Sequence, residues 1–354
     1  MTLAHPLAAD LDDVLAETRE LWDEIRGQRI FITGPTGFFG CWLLETFVWA
    51  NQRLGLNASA TILTRNPHKL KERVPHLTNG KLEAIGGDVR SFSFPPGEFS
   101  HVIHAASDSS AELNAKQPQL MFDTIVEGTR RCLDFAARAG SKKLLLTSSG
   151  AVYGKQPPDL AHVSEDFTGG PDPLDLNSAY AEGKRTAELL CALAAKNTGL
   201  QVKIARCFAF VGPYMKLDAH FAIGNFIRDQ LRDAPIRVCG DGTPVRSYMY
   251  ASDLMIWLWT ILFKGESCHA YNVGSEEGIS IAELAREIAA LGVTRKPVHI
   301  LQKACEGAPA GRYVPNTRRA QRELGLCCSV PRRAAIERTL EWNRSECPVE
   351  LQDR

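Results

Sequence analysis

The sequence has no excess of charge of either sign, because lysine plus arginine and aspartate plus glutamate each number 41 among its 354 residues. A protein that binds nucleic acid through overall positive charge is therefore not expected. The longest largely apolar run, Leu254–Phe263, is too short to cross a bilayer, so no membrane partner is predicted. Asp10, Asp12 and Asp13 stand where a secretory signal would be basic and then apolar, which predicts a cytoplasmic protein.

The sequence also lacks the short motifs of several enzyme classes. Its ten cysteines include no C-x-x-C pair and its nine histidines include no H-E-x-x-H, so reduced cysteines and no metal site are predicted. It has no Walker A loop and no G-x-S-x-G segment. Phosphate transfer by a P-loop, serine-hydrolase chemistry and zinc chemistry are therefore disfavoured.

What the chain does contain is a regular alternation of short apolar segments and amphipathic segments, which is typical of parallel β-α-β units. It predicts an α/β protein: a Rossmann-type doubly wound parallel sheet over residues 1–210, then a smaller C-terminal α/β substrate domain over 211–354, with some segments crossing back. The aromatic-rich helix 252–263 is assigned to the second domain. The other predicted elements are strands 28–33, 58–63, 101–104, 143–147 and 202–205 and helices 10–26, 41–51, 119–139 and 178–197.

Three glycines, Gly34, Gly37 and Gly40, separate the first predicted strand from the helix that follows it. In this context one glycine makes the turn, one lets backbone N–H groups approach a pyrophosphate, and one lets the helix pack on the strand. The N-terminus of the helix adds a partial positive charge. The loop therefore predicts a dinucleotide site, with a purely structural turn as the alternative.

Side chains after the next three strands bear on which dinucleotide binds. A site for NAD usually offers a carboxylate to the ribose 2′-hydroxyl after the second strand, but here Arg65 can pair with a 2′-phosphate. Arg65 favours NADP over NAD, unless it is only a solvated loop residue. Asp88 and Val89 follow the third strand, where Asp88 could accept from the adenine amino group or only cap its own turn. Ala105 and Ala106 follow the fourth strand and are small enough for the backbone to approach the cofactor.

Tyr180 and Lys184 lie four residues apart in a predicted helix and therefore share one face. A phenol is a poor base at neutral pH, but a cation close by favours its ionised form. Tyr180 can then take a proton from a substrate hydroxyl as a hydride leaves the same carbon, or return a proton to a ketone. Ser149 closes a predicted strand and is expected to hydrogen-bond the reacting oxygen, with Ser148 as its rival.

Further segments accompany these residues in order along the chain. They are Gly34-x-x-Gly37-Phe38-x-Gly40, Thr147-Ser148-Ser149-Gly-Ala-Val-Tyr153-Gly154, Tyr180-x-x-x-Lys184, Arg206-Cys-Phe-Ala-Phe-Val-Gly212-Pro213, Asn225-Phe226-Ile227, Val238-Cys-Gly240-Asp-Gly242, Arg246-Ser-Tyr-Met-Tyr250-Ala-Ser-Asp253 and Tyr271-Asn272-Val273-Gly274. The ordered set resembles the extended short-chain dehydrogenase/reductase superfamily and, within it, the nucleotide-sugar epimerase/dehydratase branch. The resemblance covers about residues 28–340.

This resemblance implies roles for the matching positions. The three glycines and Phe38 would hold the cofactor. Tyr180 would be the base, Lys184 would bind the nicotinamide ribose and Ser149 would assist at the substrate oxygen. A nucleotide-diphosphate sugar would be the substrate, and Arg246 and Arg312 would bind its diphosphate. Its expected contacts are Ser148, Asn225, Val238, Arg246 and Arg312.

The chain departs from this branch just after the serine pair. Dehydratases of the branch usually carry acidic residues there and decarboxylating relatives a glutamate, but Gly150 and Ala151 cannot transfer a proton. This departure argues against dehydration or decarboxylation by the usual mechanism. The sequence therefore predicts an NAD- or NADP-dependent epimerase that transiently oxidises a sugar hydroxyl to a ketone.

Three alternatives remain open at this point. They are an NADPH-dependent reductase of a nucleotide-linked keto-sugar, an atypical dehydratase or decarboxylase, and a cofactor-sensing protein without catalysis, against which the intact tyrosine and lysine argue. The resemblance further implies a homodimer formed through helices 119–139 and 178–197.

Overall fold

The computed structural model describes residues 5–77, 81–106, 110–219, 221–292, 295–305 and 307–346. The strands are β1 (Arg29–Thr33), β2 (Ser59–Thr64), β3 (Leu82–Gly86), β4 (His101–His104), β5 (Lys143–Ser149), β6 (Gln201–Cys207), β7 (Phe210–Val211), β8 (Ile236–Val238), β9 (Val245–Arg246), β10 (Met249–Tyr250), β11 (Ala270–Val273), β12 (Ile279–Ser280), β13 (Val298–Ile300) and β14 (Arg312–Tyr313). The five strands predicted from apolar segments are all present, with ends that differ by one or two residues.

The helices cover the amphipathic segments between the strands. They are α1 (Ala8–Thr18), α2 (Phe38–Leu54), α3 (Pro67–Arg73), α4 (Ala111–Lys116), α5 (Pro118–Arg138), α6 (Ala179–Thr198), α7 (Ala222–Leu231), α8 (Ala251–Lys264), α9 (Ile281–Ala289), α10 (Arg318–Leu324) and α11 (Arg332–Glu346). Side-chain hydrogen bonds cap the N-termini of some of these helices. For example, Ser280 and Glu283 form a reciprocal capping box at the start of α9. Within the described ranges, no helix is both long and apolar enough to span a bilayer.

A seven-stranded sheet with the order β11-β6-β5-β4-β1-β2-β3 forms the centre of the molecule, and each neighbouring pair is parallel. The strand order reverses between β1 and β4, and ligands of open α/β sheets bind outside the carboxyl ends of the strands at such a point. The prediction of a Rossmann-type doubly wound sheet is confirmed.

Alternate residues of β1 explain why both faces of this sheet are covered. Ile30 and Ile32 lie in a buried core shared with α1, α2 and α8, whereas Phe31 lies in a second core shared with α5 and α6. Because side chains alternate along a strand, an uninterrupted apolar strand needs helices on both sides.

The leading segment forms α1 and then a 3-10 helix, Arg19–Ile25, so the prediction of one helix over 10–26 is wrong. The change of geometry follows Thr18, whose hydroxyl accepts the indole N–H of Trp22 at 2.9 Å. Trp22 is completely buried and its ring centroid lies 4.5 Å from that of Trp259 in α8. A long-range tryptophan contact therefore accompanies the local helix geometry, and helical periodicity could not reveal it.

Two segments of the C-terminal part pack on the seven-stranded sheet. The aromatic-rich helix, α8, is buried from Ala251 to Phe263 and shares a core with β1 and α2, and β11 pairs with β6. The assignment of segment 252–263 to a separate domain does not match this packing, because a helix that is apolar on every side must be covered on every side. Helices α7, α9 and α11 surround a third core, whereas Ala320 of α10 lies in the first core with α8. The division of the chain near residue 210 stays a prediction.

Candidate active site

The loop between β1 and α2 approaches the end of β4 so closely that side chains are excluded. Gly34 has φ of +77°, and a Cβ atom there would lie 2.7 Å from the carbonyl oxygen of Ala105. A Cβ atom on Gly40 would lie 2.1 Å from the carbonyl oxygen of Gly34. Both positions therefore require glycine for the packing of the loop itself.

Gly37 differs, because a Cβ atom there would meet only the carbonyl oxygen of Gly34, at an ordinary contact distance of 3.6 Å. Gly37 precedes α2, whose first turn contains no acidic residue and receives no side-chain cap; Phe38 is its first residue. The first backbone N–H groups of this helix are thus available to an anion. The open side of Gly37 and the uncapped helix fit the pyrophosphate of a dinucleotide.

A buried hydrogen-bond chain holds the end of β4 against this loop. The Thr33 hydroxyl accepts the backbone N–H of Ala106 at 3.0 Å and lies 3.0 Å from Nδ1 of His104. Nε2 of His104 lies 3.2 Å from the hydroxyl of Thr129, which donates to a backbone carbonyl. Burial lowers the pKa of His104 to about 3, so this ring is neutral and structural. Thr33 and Thr129 were missed by the motif analysis because a lone threonine carries no motif.

Asp88 and Arg65, the predicted adenine and ribose contacts, have different surroundings. The carboxylate of Asp88 accepts the backbone N–H and the guanidinium of Arg90, each at 2.9 Å, and these bonds hold its pKa below the usual range. Of the two predicted roles of Asp88, the structure contains the local turn. Val89 is buried against Gly128. Arg65 is exposed after β2, near enough to attract the Asp88 carboxylate.

Helix α6 brings the catalytic candidates to the carboxyl end of β5. The phenol of Tyr180 is hydrogen-bonded to Ser149. Nζ of Lys184 donates to the carbonyl oxygen of Thr147 at 2.7 Å and lies 5.9 Å from the centre of the Tyr180 ring. Residues 147, 149, 180 and 184 therefore form one cluster. It lies at the same edge of the sheet as the loop between β1 and α2.

Burial dominates the electrostatics of this cluster. It raises the pKa of Tyr180 to about 12, against a hydrogen bond from Ser149 that lowers it. It also lowers the pKa of Lys184 to about 8. The sequence predicts instead that Lys184 lowers the pKa of Tyr180. The difference arises because both groups lie in a poorly solvated interior, where each ionised form is disfavoured.

Ser148, the predicted rival of Ser149, has its hydroxyl elsewhere. It shares the α6-facing side of β5 with Leu144 and Leu146 and donates to the carboxylate of Glu188 at 2.5 Å. Ser148 is 3% exposed, so its predicted contact with the substrate is contradicted by its geometry. Side chains alternate along a strand, and this alternation separates the two adjacent hydroxyls.

Phe208 and Tyr313 form a wall beside Ser149. A Cβ atom on Gly150 would lie 2.7 Å from Cζ of Phe208 and 2.8 Å from the hydroxyl oxygen of Tyr313. That hydroxyl lies 3.4 Å from Oγ of Ser149, and burial raises its pKa, which keeps it protonated. Tyr313 was not predicted as a site residue, although its neighbour Arg312 was.

The four remaining substrate candidates are split between two regions. Arg246 lies opposite Tyr313 in the β9–β14 pair, with its guanidinium 5.8 Å from the centre of the Tyr313 ring. Arg312 is the preceding residue of β14, so both arginines belong to the strand pair that borders Ser149. Asn225 is on α7 and accepts from Arg228 at 3.1 Å, and Val238 is 2% exposed in the third core. Within the described ranges, no hydrogen bond or core contact joins these two residues to the cluster at Ser149.

His5, Glu45 and His76 bring two imidazoles and a carboxylate together elsewhere, with ligand atoms within 4.8 Å of one another. This donor set is one that zinc can use. However, Nδ1 of His5 accepts the backbone N–H of Leu7 at 3.2 Å, so the neutral ring carries its proton on Nε2, which lies 3.3 Å from Glu45. Burial acts to raise the pKa of Glu45, but hydrogen bonds from both histidines and Tyr214 lower it to about 2. We therefore assign the cluster as a hydrogen-bonded carboxylate and not as a metal centre.

Known proteins resemble the chain in sequence and structure. A model of the NAD dependent epimerase/dehydratase family matches residues 30–274. UDP-glucuronic acid decarboxylase 1 of Danio rerio is 29% identical over 316 residues, which are 89% of this chain and 72% of that protein. UDP-glucuronic acid decarboxylase 6 of Arabidopsis thaliana is 31% identical over 263 residues, 74% of each chain. MoeE5 in complex with UDP-glucose and NAD has a TM-score of 0.73 and 26% identity and covers 89% of this chain and 98% of its own; it has also been solved with UDP-glucuronic acid and NAD.

The two kinds of glycine in the loop predict different effects of one added methyl group. We expect Gly37→Ala to keep the thermal stability of the wild type but to weaken NADH binding by at least about tenfold, because the methyl group enters the open side of the loop. Gly40→Ala should lower the melting temperature, because its methyl group would overlap Gly34 and Pro35. Thermal denaturation and NADH fluorescence titration check both, and a Gly37→Ala protein with unchanged NADH affinity would contradict this assignment of the pyrophosphate site.

Proposed function

Because this chain belongs to the NAD dependent epimerase/dehydratase family, we propose that it is an epimerase of a nucleotide-diphosphate sugar. With a bound nicotinamide dinucleotide as hydride acceptor and donor, one sugar hydroxyl would be oxidised to a ketone and that ketone reduced again from the other face. The observation that carries this proposal is the Ser149–Tyr180 hydrogen bond beside a filled space at Gly150. The site thus supplies one proton-transfer pair, and epimerisation by transient oxidation needs no other acid or base.

The chain's own residues account for each proton movement. When bound, a nicotinamide cofactor takes a hydride from the sugar carbon and returns it. Ser149 donates its hydrogen bond to the reacting sugar oxygen, and Tyr180 in its ionised form takes the hydroxyl proton as the ketone forms. In the return step the same phenol gives that proton back. Lys184, when protonated, favours the ionised phenol by its charge.

The strand pair β9–β14 supports a diphosphate substrate. Arg246 pairs with Tyr313 in this strand pair, and Arg312 pairs with Val245 in the preceding position of the ladder. Two guanidinium groups can bind a diphosphate through paired hydrogen bonds. MoeE5, which resembles this chain, has been solved with UDP-glucose and with UDP-glucuronic acid, and we extend a uridine-type sugar nucleotide to this chain as part of the proposal. Asn225 is proposed to contact the nucleotide, whereas Val238 is 2% exposed in the third core and is not retained as a contact.

Decarboxylation of a nucleotide-linked uronic acid is the second candidate, and the names of the two relatives favour it. A ketone formed at C4 of such a sugar is β to the carboxylate, and a β-keto acid can lose carbon dioxide without a further catalytic acid. Gly150 therefore argues against an acid-assisted mechanism but leaves this simpler route open. Epimerisation and decarboxylation would share their first step on Tyr180.

A product assay separates these reactions. With NAD and UDP-glucuronic acid labelled at C6, or with UDP-glucose, we expect an epimer that keeps every carbon and no net change in nicotinamide absorbance. Release of labelled carbon dioxide would instead establish decarboxylation, and stoichiometric oxidation of NADPH with a keto-sugar would establish a reductase.

The matched variants are Tyr180→Phe and Tyr271→Phe. We expect Tyr180→Phe to lose roughly 10²–10⁴-fold in rate while keeping its cofactor, because only the proton acceptor is removed. Tyr271 lies in β11 with its hydroxyl on Glu323, so its variant should stay active.

The hydrogen bond between Ser149 and Tyr180 predicts a shift in pH dependence. Because this bond lowers the pKa of Tyr180, the variant Ser149→Ala should need a higher pH to form the phenolate. We expect the rising limb of kcat/KM to move to higher pH, with a rate about 10–100-fold lower near neutrality. Profiles of both proteins from about pH 6 to the highest pH at which each stays folded check this sign, and an unshifted or acid-shifted limb would refute it.

NADP is the dinucleotide that Arg65 favours, whereas MoeE5 has been solved with NAD. We propose that Arg65 donates hydrogen bonds to a 2′-phosphate, because it is exposed after β2 at the edge where the ribose of a Rossmann site lies. Asp88 near it opposes a second negative charge, so parallel titrations with NADH and NADPH decide the preference.

We also propose a cytoplasmic location. Nine of the ten cysteines lie in described segments, and each is a free thiol. A reducing compartment suits a chain with so many unpaired cysteines.

A homodimer through α5 and α6 is supported by exposed leucines on these helices. Leu189 and Leu193 are 60% and 49% exposed and lie one helical turn apart, and Leu120 of α5 is 36% exposed. We expect light scattering to give the mass of a dimer for the wild type and of a monomer for Leu189→Asp with Leu193→Asp. The control Leu301→Asp, at an exposed position far along the chain, should remain dimeric. A monomeric wild type would exclude this interface.

A further inference from the structure

Three side chains of α6 are spaced four residues apart: Tyr180, Lys184 and Glu188. Such a series lies along one face of a helix. The first two residues have proposed roles in the reaction, but the third has none so far. Glu188 is one turn beyond Lys184 and has a side chain that is only 12% exposed.

The three side chains contact three consecutive residues of β5. Tyr180 is hydrogen-bonded to Ser149, Lys184 donates to the carbonyl oxygen of Thr147, and Glu188 accepts the hydroxyl of Ser148 at 2.5 Å. A shift of α6 along the strand would break all three contacts together. The contact furthest from the reacting groups therefore helps to fix the position of the nearest one.

Arg206 of β6 anchors Glu188 from the other side. Its Nη2 and Nε donate to Oε2 and Oε1 of Glu188 at 2.7 and 3.0 Å, and its Nη1 donates to the hydroxyl of Tyr153 at 2.9 Å. That hydroxyl donates to the side chain of Asn272 in β11 at 2.7 Å. This series joins α6 to three neighbouring strands. A buried bidentate ion pair with further hydrogen bonds is a rigid anchor.

We propose that Glu188 is a positioning residue of this site, which fixes α6 on β5 through Ser148 and Arg206 and keeps Lys184 charged beside Tyr180. The proposal rests on the proposed function, because it assigns Glu188 to the same reaction. It also explains why Ser148, the predicted substrate contact, points away from the site.

Among the residues that the structure describes, five titratable groups face Lys184 from the elements around it: Tyr180, Glu188 and Cys191 on α6, Cys207 on β6 and His104 on β4. Burial keeps the phenol and both thiols protonated and His104 neutral, so Glu188 is the charged member of this set near neutral pH. Burial lowers the pKa of Lys184 to about 8, and the charge of Glu188 opposes that shift. Removal of this charge should therefore let Lys184 lose its proton at a lower pH.

NADH affinity measured against pH tests this inference without a sugar substrate. Affinity should fall as Lys184 loses its proton, and in Glu188→Gln this fall should move down by about one pH unit, or about tenfold in the ratio of charged to neutral lysine. Glu182→Gln is the matched control, because Glu182 is on the same helix and pairs with Arg185 at 3.7 Å instead. An NADH profile of Glu188→Gln that equals those of the wild type and Glu182→Gln would overturn the proposal.

Glu188→Gln alone leaves Arg206 without its carboxylate partner, so a second variant controls for the resulting loss of stability. Glu188→Gln combined with Arg206→Gln removes both buried charges, and it should keep the shift of the NADH profile while recovering stability. Recovery of the wild-type profile in this double variant would also overturn the proposal. If the wild type binds neither NADH nor NADPH, the proposed function fails. Acetylation of Lys184 against pH, followed by mass spectrometry, then decides the role of Glu188, because its onset should still occur about one pH unit lower in Glu188→Gln.

Discussion

The close approach of the β1–α2 loop to the end of β4 is the constraint on which the site depends. Gly34 meets the Ala105 carbonyl at a distance that leaves no room for a side chain, and Gly40 meets Gly34 in the same way. This contact lies where the strand order reverses, which is where a ligand groove is expected in an open parallel sheet. Two strands further along, β5 delivers its serine to the same sheet edge. The glycines therefore determine where the groove lies, and the neighbouring strands determine which side chains reach it.

The chemistry at that edge depends on burial as much as on residue identity. A phenol and an ammonium group four residues apart are expected to stabilise each other as an ion pair. In the structure Lys184 is buried and Tyr180 is half-buried, and the loss of solvent pushes their pKa values in opposite directions, towards neutral forms. In a poorly solvated site each charge interacts more strongly with its neighbours than it would in water. A charged ligand therefore has a large effect on the pKa values of both groups. The wall of Phe208 and Tyr313 limits access of water from the side of Gly150.

Much of this architecture is predictable from the sequence, because periodicity and glycine spacing act locally. The alternating segments predict the sheet, and helical spacing predicts that Tyr180 and Lys184 share a face. The misses have a common origin in contacts between distant parts of the chain. Trp22, which lies just beyond the end of α1, packs against Trp259 of α8. Tyr313 lies on a short strand 164 positions after Ser149 and approaches its hydroxyl. Ser148 was predicted to contact the substrate, although the alternation of side chains along a strand could have placed it on the opposite face from Ser149.

Strand β11 at the edge of the large sheet has a consequence for how the molecule is made. It is followed by the C-terminal elements of the third core and preceded by α8, so the first sheet is complete only after residue 273 has been synthesised. Until then β6 has an unpaired edge and the aromatic face that receives α8 is uncovered, which are the features that promote aggregation of nascent chains. We therefore expect the large sheet to be completed late in translation, after its edge strand β11 has been synthesised.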